Sequence, residues 1–135
     1  MTEVVRAFSY THYSRDVVEV VWSGLDGDDS GQAVDLSEFP DKTIQVTGTF
    51  DSATTTLYWS NDTTKVKTDR AAGTLFGSKT AEWVIAQDSL GNNIAKSAAG
   101  GDQILEAGHW FAPVNSGGGG STNLAVKITA RRNKI

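Results

Sequence analysis

The segment most suggestive of metal chemistry is Asp26-Gly27-Asp28-Asp29-Ser30-Gly31. Asp26, Asp28 and Ser30 occupy alternate positions and Gly31 follows, as at the start of a calcium loop. The helix–loop–helix form of that loop needs a bidentate Glu at its twelfth position. Ser37 stands there, Glu38 is one place late, and no flanking helices are expected, so a solvated turn is favoured over a bound cation. Gly117-Gly118-Gly119-Gly120-Ser121-Thr122 invites a phosphate-loop reading. It lacks the lysine of that motif, and a strand rather than a helix follows it. The expectation is a mobile loop between the two final strands. His12 and His109, the two histidines, have no partner at metal-ligand spacing, and His109 beside Trp110 and Phe111 reads as a packing or interface residue. No Gly-x-Ser-x-Gly elbow supports a serine nucleophile. The absence of cysteine excludes disulfides, thiolate zinc sites and cysteine nucleophiles together. No residue is assigned a catalytic, cofactor-binding or metal-ligating role, no cofactor is expected, and the chain reads as a binding protein rather than an enzyme.

Two-residue alternation dominates the pattern that must position these residues. In Thr43-Ile44-Gln45-Val46-Thr47-Gly48-Thr49-Phe50, Ile44, Val46, Gly48 and Phe50 share one face and Thr and Gln the other, the signature of a half-buried strand. Thr54-Thr55-Thr56-Leu57-Tyr58-Trp59-Ser60 is a second β-prone run. Asp51 and Ser52 between them suit a short turn, so the two runs are expected to form a hairpin. Further strands are expected at residues 16–22, 81–86, 109–114 and 123–131, with Asp88-Ser89-Leu90-Gly91-Asn92-Asn93 as a turn returning into a short strand at residues 93–96. Pro113 lacks an N–H and is expected at an edge or bulge. Trp22, Trp59, Trp83 and Trp110 all fall in predicted strands, where core positions are favoured over an exposed sugar-stacking platform or interface anchor. Many short strands punctuated by Gly, Asn, Asp and Ser predict an all-β fold, an antiparallel β-sandwich or jelly roll with little or no helix. Residues 16–135 form a single domain in this reading, and residues 1–15, with Phe8, Tyr10 and Tyr13, an N-terminal arm or edge strand.

The chain has 135 residues and a net charge of −4, enough length for one core. From Asp16 to Asp41 every charged residue is acidic, whereas the C-terminus carries Lys127, Arg131, Arg132 and Lys134. An acidic chain argues against nonspecific duplex binding, and no nucleic-acid partner is expected. No stretch approaches the roughly 20 apolar residues of a membrane span, and the start lacks a basic patch followed by an apolar run. The expectation is a soluble protein made in a cytoplasm, without a membrane partner.

Four segments in order carry a family resemblance. They are Val21-Trp22-Ser23-Gly24-Leu25 running into Gly27-Asp28; Ile44-Gln45-Val46-Thr47-Gly48-Thr49-Phe50; Leu57-Tyr58-Trp59-Ser60-Asn61-Asp62 followed by Asp88-Ser89-Leu90-Gly91-Asn92; and Phe111-Ala112-Pro113-Val114 with the glycine loop and Val126-Lys127-Ile128-Thr129-Ala130-Arg131-Arg132. Spanning residues 20–132, the pattern resembles the small phage head proteins encoded beside major capsid proteins, some of them cement or decoration proteins with a jelly-roll fold. The resemblance implies a structural virion protein that binds and stabilises the outer surface of the head. It further implies the major capsid protein as partner, a homo-oligomer (dimer or trimer) and no catalytic residues. The second reading is a carbohydrate-binding or host-adhesion module of a phage tail, motivated by the four tryptophans and the acidic loop.

Overall fold

The computed structural model describes residues 5–72 and 83–132, with backbone only at residues 69–72. The elements in chain order are β1 (Val5–Arg6), β2 (Ser9–His12), β3 (Val17–Leu25), β4 (Ser30–Gly31), β5 (Val34–Asp35), β6 (Asp41–Thr49), β7 (Thr54–Ser60), α1 (Thr63–Ala72), β8 (Val84–Ile85), β9 (Ala95–Lys96), β10 (Gly100–Ile104), β11 (Trp110–Ser116) and β12 (Asn123–Arg131). Two mostly antiparallel sheets pack as a β-sandwich. One sheet has the order β10-β6-β12-β3-β2; the other runs β1-β4-β11-β7-β8, with β5 also on β11 and β9 also on β7. The short pairs β4/β5 and β8/β9 each act as one interrupted strand. From β3 onward the chain then changes sheet at every step except from β7 to its neighbour β8/β9, which gives the strand order of a jelly roll, as expected from the sequence.

Alternation decides which faces meet. Val18, Val20 and Trp22 of β3, Ile44 and Val46 of β6, and Leu124, Val126, Ile128 and Ala130 of β12 point inward and are buried against Leu57 and Phe111 of the opposite sheet. A bulge breaks the period in β3. Val126 faces Trp22 but Leu124 faces Leu25, so β3 carries one extra residue at Ser23-Gly24, where Gly24 has φ +68°. The bulge turns Leu25 inward instead of Gly24.

The expected hairpin between residues 43–50 and 54–60 does not form. β6 pairs with β10 and β12, whereas β7 pairs with β11, β8 and β9 in the other sheet. The turn is tight, with Ala53 N–H donating to Phe50 O at 2.8 Å and Asp51 and Ser52 both at positive φ. It carries the chain across the sandwich, so that the apolar face of β7 at Leu57 packs against the inward faces of β6 and β12 instead of extending their sheet. Pro113 is likewise not at an edge. β11 lies inside its sheet, fully paired with β7, and its other side meets β5 at Trp110 and Phe111 and β4 at Val114. Leu57, opposite Pro113, bonds through N–H and C=O to Ile94 and Ala86 on its far side. The missing donor of Pro113 thus faces the gap between β5 and β4, where no ladder bond is required. Trp22 Nε1 donates to Gln32 O in this gap. Gly31 fits because a Cβ there would stand 2.6 Å from the Trp22 ring.

Residues 81–82 of the strand expected at 81–86 lie outside the described residues, and the remainder pairs only at β8. The turn after it forms as expected, closed by Asp88 N–H to Asn92 O and by the Asp88 carboxylate accepting the N–H groups of Leu90 and Asn92. β10 was not legible because Gly100-Gly101-Asp102-Gln103 lacks apolar alternation. In α1, Asp62 caps the helix by accepting Lys65 N–H at 2.9 Å. Of the side chains described on that helix, Val66 is the buried one, packed near Trp83 and Trp110, too little apolar content for a helical period.

One inward position is charged. Lys42, opposite Ala130 and Ile104, is 1 % exposed; its Nζ donates to Phe39 O at 2.8 Å and lies 5.0 Å from the centre of the Phe111 ring. Burial pushes the Lys42 ammonium below the ordinary lysine value, against an opposing pull from Asp41 and Glu106. Between the lowered folded value and the unfolded value the unfolded chain binds more protons, so stability rises with pH across that window. Lys42→Met, which keeps the stem and removes the charge, is expected to stabilise the fold at neutral pH by about 1 kcal/mol. Urea unfolding of both proteins should show this gain shrinking as pH rises towards the ordinary lysine value of about 10.4.

Candidate functional site

The open edge of the sandwich holds the site. β2 pairs with β3 so that Tyr10 and His12 lie opposite the buried Val20 and Val18 and face the space between the sheets. Phe8, Tyr10 and His12 form a ladder of rings, with Phe8 edge-on to Trp22 at 6.0 Å and Tyr10 edge-on to His12 at 5.0 Å. Across from them stand Ala33, Val34 and Asp35, with Glu38, Phe39 and Trp110 completing a groove of about 360 Å³. That volume suits one or two side chains or a small ligand.

Hydrogen bonds hold the polar wall rigid. Asp35 Oδ1 accepts the Ser37 N–H at 3.0 Å and the Ser37 hydroxyl at 2.7 Å, and Asp35 Oδ2 lies 3.1 Å from His109 Nε2. The His109 ring stacks on Trp110 at 5.0 Å and 6°. His109 N–H donates to Asn61 Oδ1, and Trp110 Nε1 donates to Thr63 Oγ1. Arg132 closes one end: its guanidinium lies 5.4 Å from the Phe39 ring and 3.7 Å from Glu38. Partial burial pushes the Asp35 carboxyl up, but the Ser37 and His109 hydrogen bonds outweigh it and hold the group below the ordinary value. Burial raises the Tyr10 phenol, opposed by Arg132 and reinforced by Glu38 and Asp35.

Ser37, Asp35 and His109 do not make a nucleophile. The carboxylate stands between the other two, so the hydroxyl donates to Asp35 rather than to the imidazole that would have to take its proton. The arrangement can bind; it has no evident route to activate an attacking oxygen.

The sequence-singled acidic loop behaves differently from its motif. Asp26 and Asp29, rather than the alternate set Asp26, Asp28 and Ser30, converge on one cation, the guanidinium of Arg6. Arg6 Nε lies 2.8 Å from Asp29 Oδ2 and Arg6 Nη2 lies 3.4 Å from Asp26 Oδ2. Asp29 is buried and also accepts Asp26 N–H, while Ser30 is buried in β4. No group of three or more His, Cys, Asp or Glu able to hold a metal occurs among the described residues. The glycine run, expected to be mobile, is bonded to two neighbouring loops. Gly118 N–H reaches Gly27 O, Gly119 N–H donates to Asp51 O at 3.0 Å, Ser121 N–H donates to Asp51 Oδ2, and Thr122 Oγ1 donates to Phe50 O. Its glycines serve close approach: a Cβ on Gly27 would stand 2.6 Å from Gly118 O. Buried Asn115 ties the same end together, accepting from Thr55 Oγ1 at 2.6 Å and donating through Nδ2 to Asp26 O at 2.9 Å.

The tryptophans offer no platform. Trp22, Trp83 and Trp110 are buried, and half-buried Trp59 has its Nε1 enclosed without a hydrogen-bond partner. Trp110 and the aromatic arm were visible in the sequence, but Asp35, Glu38 and Phe39 were missed as site residues. The alternate spacing of Phe8, Tyr10 and His12 was the one available signal of a ring-lined strand face. No family model and no curated protein matches the chain.

Two outcomes follow from these contacts. Arg6→Ala should leave Asp29 buried without its cation and cost about 2 kcal/mol in urea unfolding, with Arg6→Lys recovering part. Because the folded value of Asp35 is depressed, its contribution is present above the unfolded carboxyl value and lost as pH falls through the folded one. Asp35→Asn should therefore be less stable than the parent at neutral pH. In acid titrations followed by tryptophan fluorescence, the two should converge as pH falls below the ordinary carboxyl value of about 3.9.

Proposed function

We propose that this chain is a structural phage virion protein, a cement or decoration protein that binds the major capsid protein on the outer surface of the head as a dimer or trimer. The observation that carries the reading is where the four resembling segments lie. They are β3 with its bulge and following loop, β6, the end of β7, the turn at residues 88–92, β11 and β12: the framework of the jelly roll itself. A rigid sandwich with locked loops suits the task, since a preformed surface loses little conformational entropy on docking. Many weak copies on one lattice add avidity without a large single interface. The aromatic groove has the composition of a protein contact rather than of a reaction centre. The tail-adhesion alternative is less favoured, because Trp22 and Trp83 are buried, Trp59 is half-buried and Trp110 shows only an edge in the groove, and because Asp26 and Asp29 are engaged by Arg6.

Quantitative mass spectrometry of purified virions should find roughly one copy per one to three major capsid subunits, as symmetric decoration requires. Adding the purified protein to shells that lack it should raise their melting temperature. A handful of copies per virion, or shells that melt unchanged, would overturn the head assignment.

A further inference from the structure

The groove at the sandwich edge combines features that select one kind of occupant. Its walls are rings: Phe8 and Tyr10 on one side, Phe39 and Trp110 on the other. Its polar rim carries two carboxylates, Asp35 and Glu38, and Asp35 is held ionised by the hydrogen bonds it accepts. Ring faces and carboxylates share a preference for cations: the former through the aromatic quadrupole, the latter through charge. An anion would meet like charge, and a purely apolar chain would strand the two carboxylates without water.

The protein itself displays the mode of contact. Arg132 lays its guanidinium on Phe39 and beside Glu38 at one end of the groove, with Nε enclosed and lacking a hydrogen-bond partner. Glu38 remains well exposed despite this pair, at 70 % of its side chain. Among the described residues, the basic group paired with Asp35 is an imidazole, a full positive charge solely when protonated. The groove thus retains acidity that its internal partners do not neutralise. It is also reachable: β2 is the last strand of its sheet, its four residues are exposed, and Tyr10 is 37 % exposed.

We propose that this groove receives an arginine or lysine side chain from a partner protein, the cation lying among the Tyr10, Phe39 and Trp110 rings and against Asp35 and Glu38. The proposal rests on reading the chain as a binding module and adds the chemistry of what it holds; it does not require the partner to be a shell protein. The planar guanidinium is the better fit, because it can stack on a ring and fork to a carboxylate at once.

The test uses the full chain labelled with nitrogen-15 and a capped pentapeptide, acetyl-Gly-Gly-Arg-Gly-Gly-amide. A single anchor of this kind is expected to bind in the low-millimolar range, about 1–5 mM. Saturable shifts should be confined to the Trp110 indole and to the backbone amides of Tyr10, Val34, Asp35 and Phe39, and should weaken with added salt. The lysine peptide should bind less tightly, and the citrulline peptide, which keeps the shape but not the charge, about tenfold or more less tightly. Asp35→Asn and Glu38→Gln should each weaken binding several-fold while amide positions outside the groove stay in place, which separates loss of the site from loss of the fold. No saturable shift up to about 20 mM peptide, equal binding of citrulline, or affinities unchanged in both variants would overturn the proposal. Shifts that grow with protein concentration alone would mean that a second copy fills the groove, and would overturn it too. Shell binding measured on the same samples keeps the two ideas apart. Shells bound without peptide binding would sink the groove and spare the capsid assignment. Peptide bound without shell binding would sink the assignment and leave the groove standing.

Discussion

Everything in this protein hangs on covering the inner faces of two sheets, and β12 is where the constraint is tightest. It is hydrogen-bonded to β6 along its whole length and to β3 on the other side. Its inward residues Leu124, Val126, Ile128 and Ala130 are at most 1 % exposed. Leu124, Val126 and Ile128 each contribute on the order of 1.5–3 kcal/mol when removed from water, but only if the opposite sheet is present to remove them. That condition forces the chain to cross the sandwich at residues 50–53 and again at residues 117–122. The hydrogen bonds that tie those two crossings together are then geometric consequences, since both must span the same gap at the same end.

The two ends of the sandwich are built on different physics. At the crossing end, backbone groups and short polar side chains satisfy one another: Asn115 with Thr55 and Asp26, Asp51 with Gly119 and Ser121, and Asp29 with Arg6. Asn115, Thr55 and Asp29 make their bonds while buried, where a satisfied polar contact stiffens its surroundings most. At the open edge, strands run out before the rings are covered. Phe8 leans on Trp22 and on Tyr10, but among the described residues β2 has no further strand beside it. Ring surface, carboxylates and access coincide there because it is where the core is left unfinished. Such an edge invites unwanted pairing, and the short length of β2 and the polar outer side chains Ser9 and Thr11 limit that hazard.

Lys42 belongs to neither region. It occupies a core register between Ala130 and Ile104, and its single backbone acceptor and ring contact compensate only part of the lost hydration. Its ammonium bonds to the carbonyl of Phe39, the residue that also forms part of the groove. The buried charge therefore supports the position of a groove ring, which gives it a role in placing the site.

Local pattern was enough to establish the all-β class, the inward faces of β6 and β12 and the core preference of the tryptophans. Each depends only on period-two alternation and on the low solubility of large rings, and both properties are carried by neighbouring residues. Absence of cysteine disposed of three chemistries for the same reason: composition needs no geometry. What only the tertiary structure decided was who meets whom. Residues 43–50 and 54–60 look like a hairpin because alternation does not say which sheet a strand joins; that depends on which distant face is left to cover. Pro113 could enter an inner strand because β4 and β5 break opposite it, a gap set by Trp22 and Gly31 rather than by its own neighbours. The loop from Asp26 to Gly31 resembles a calcium loop in spacing and reads as a solvated turn; that Asp26 and Asp29 meet Arg6, far back in the chain, only the fold decides. The groove is assembled from residues near 8, 35, 39 and 110, whose proximity is a product of sheet order. Long-range proximity of this kind is a property of the folded chain as a whole, and no window of sequence contains it.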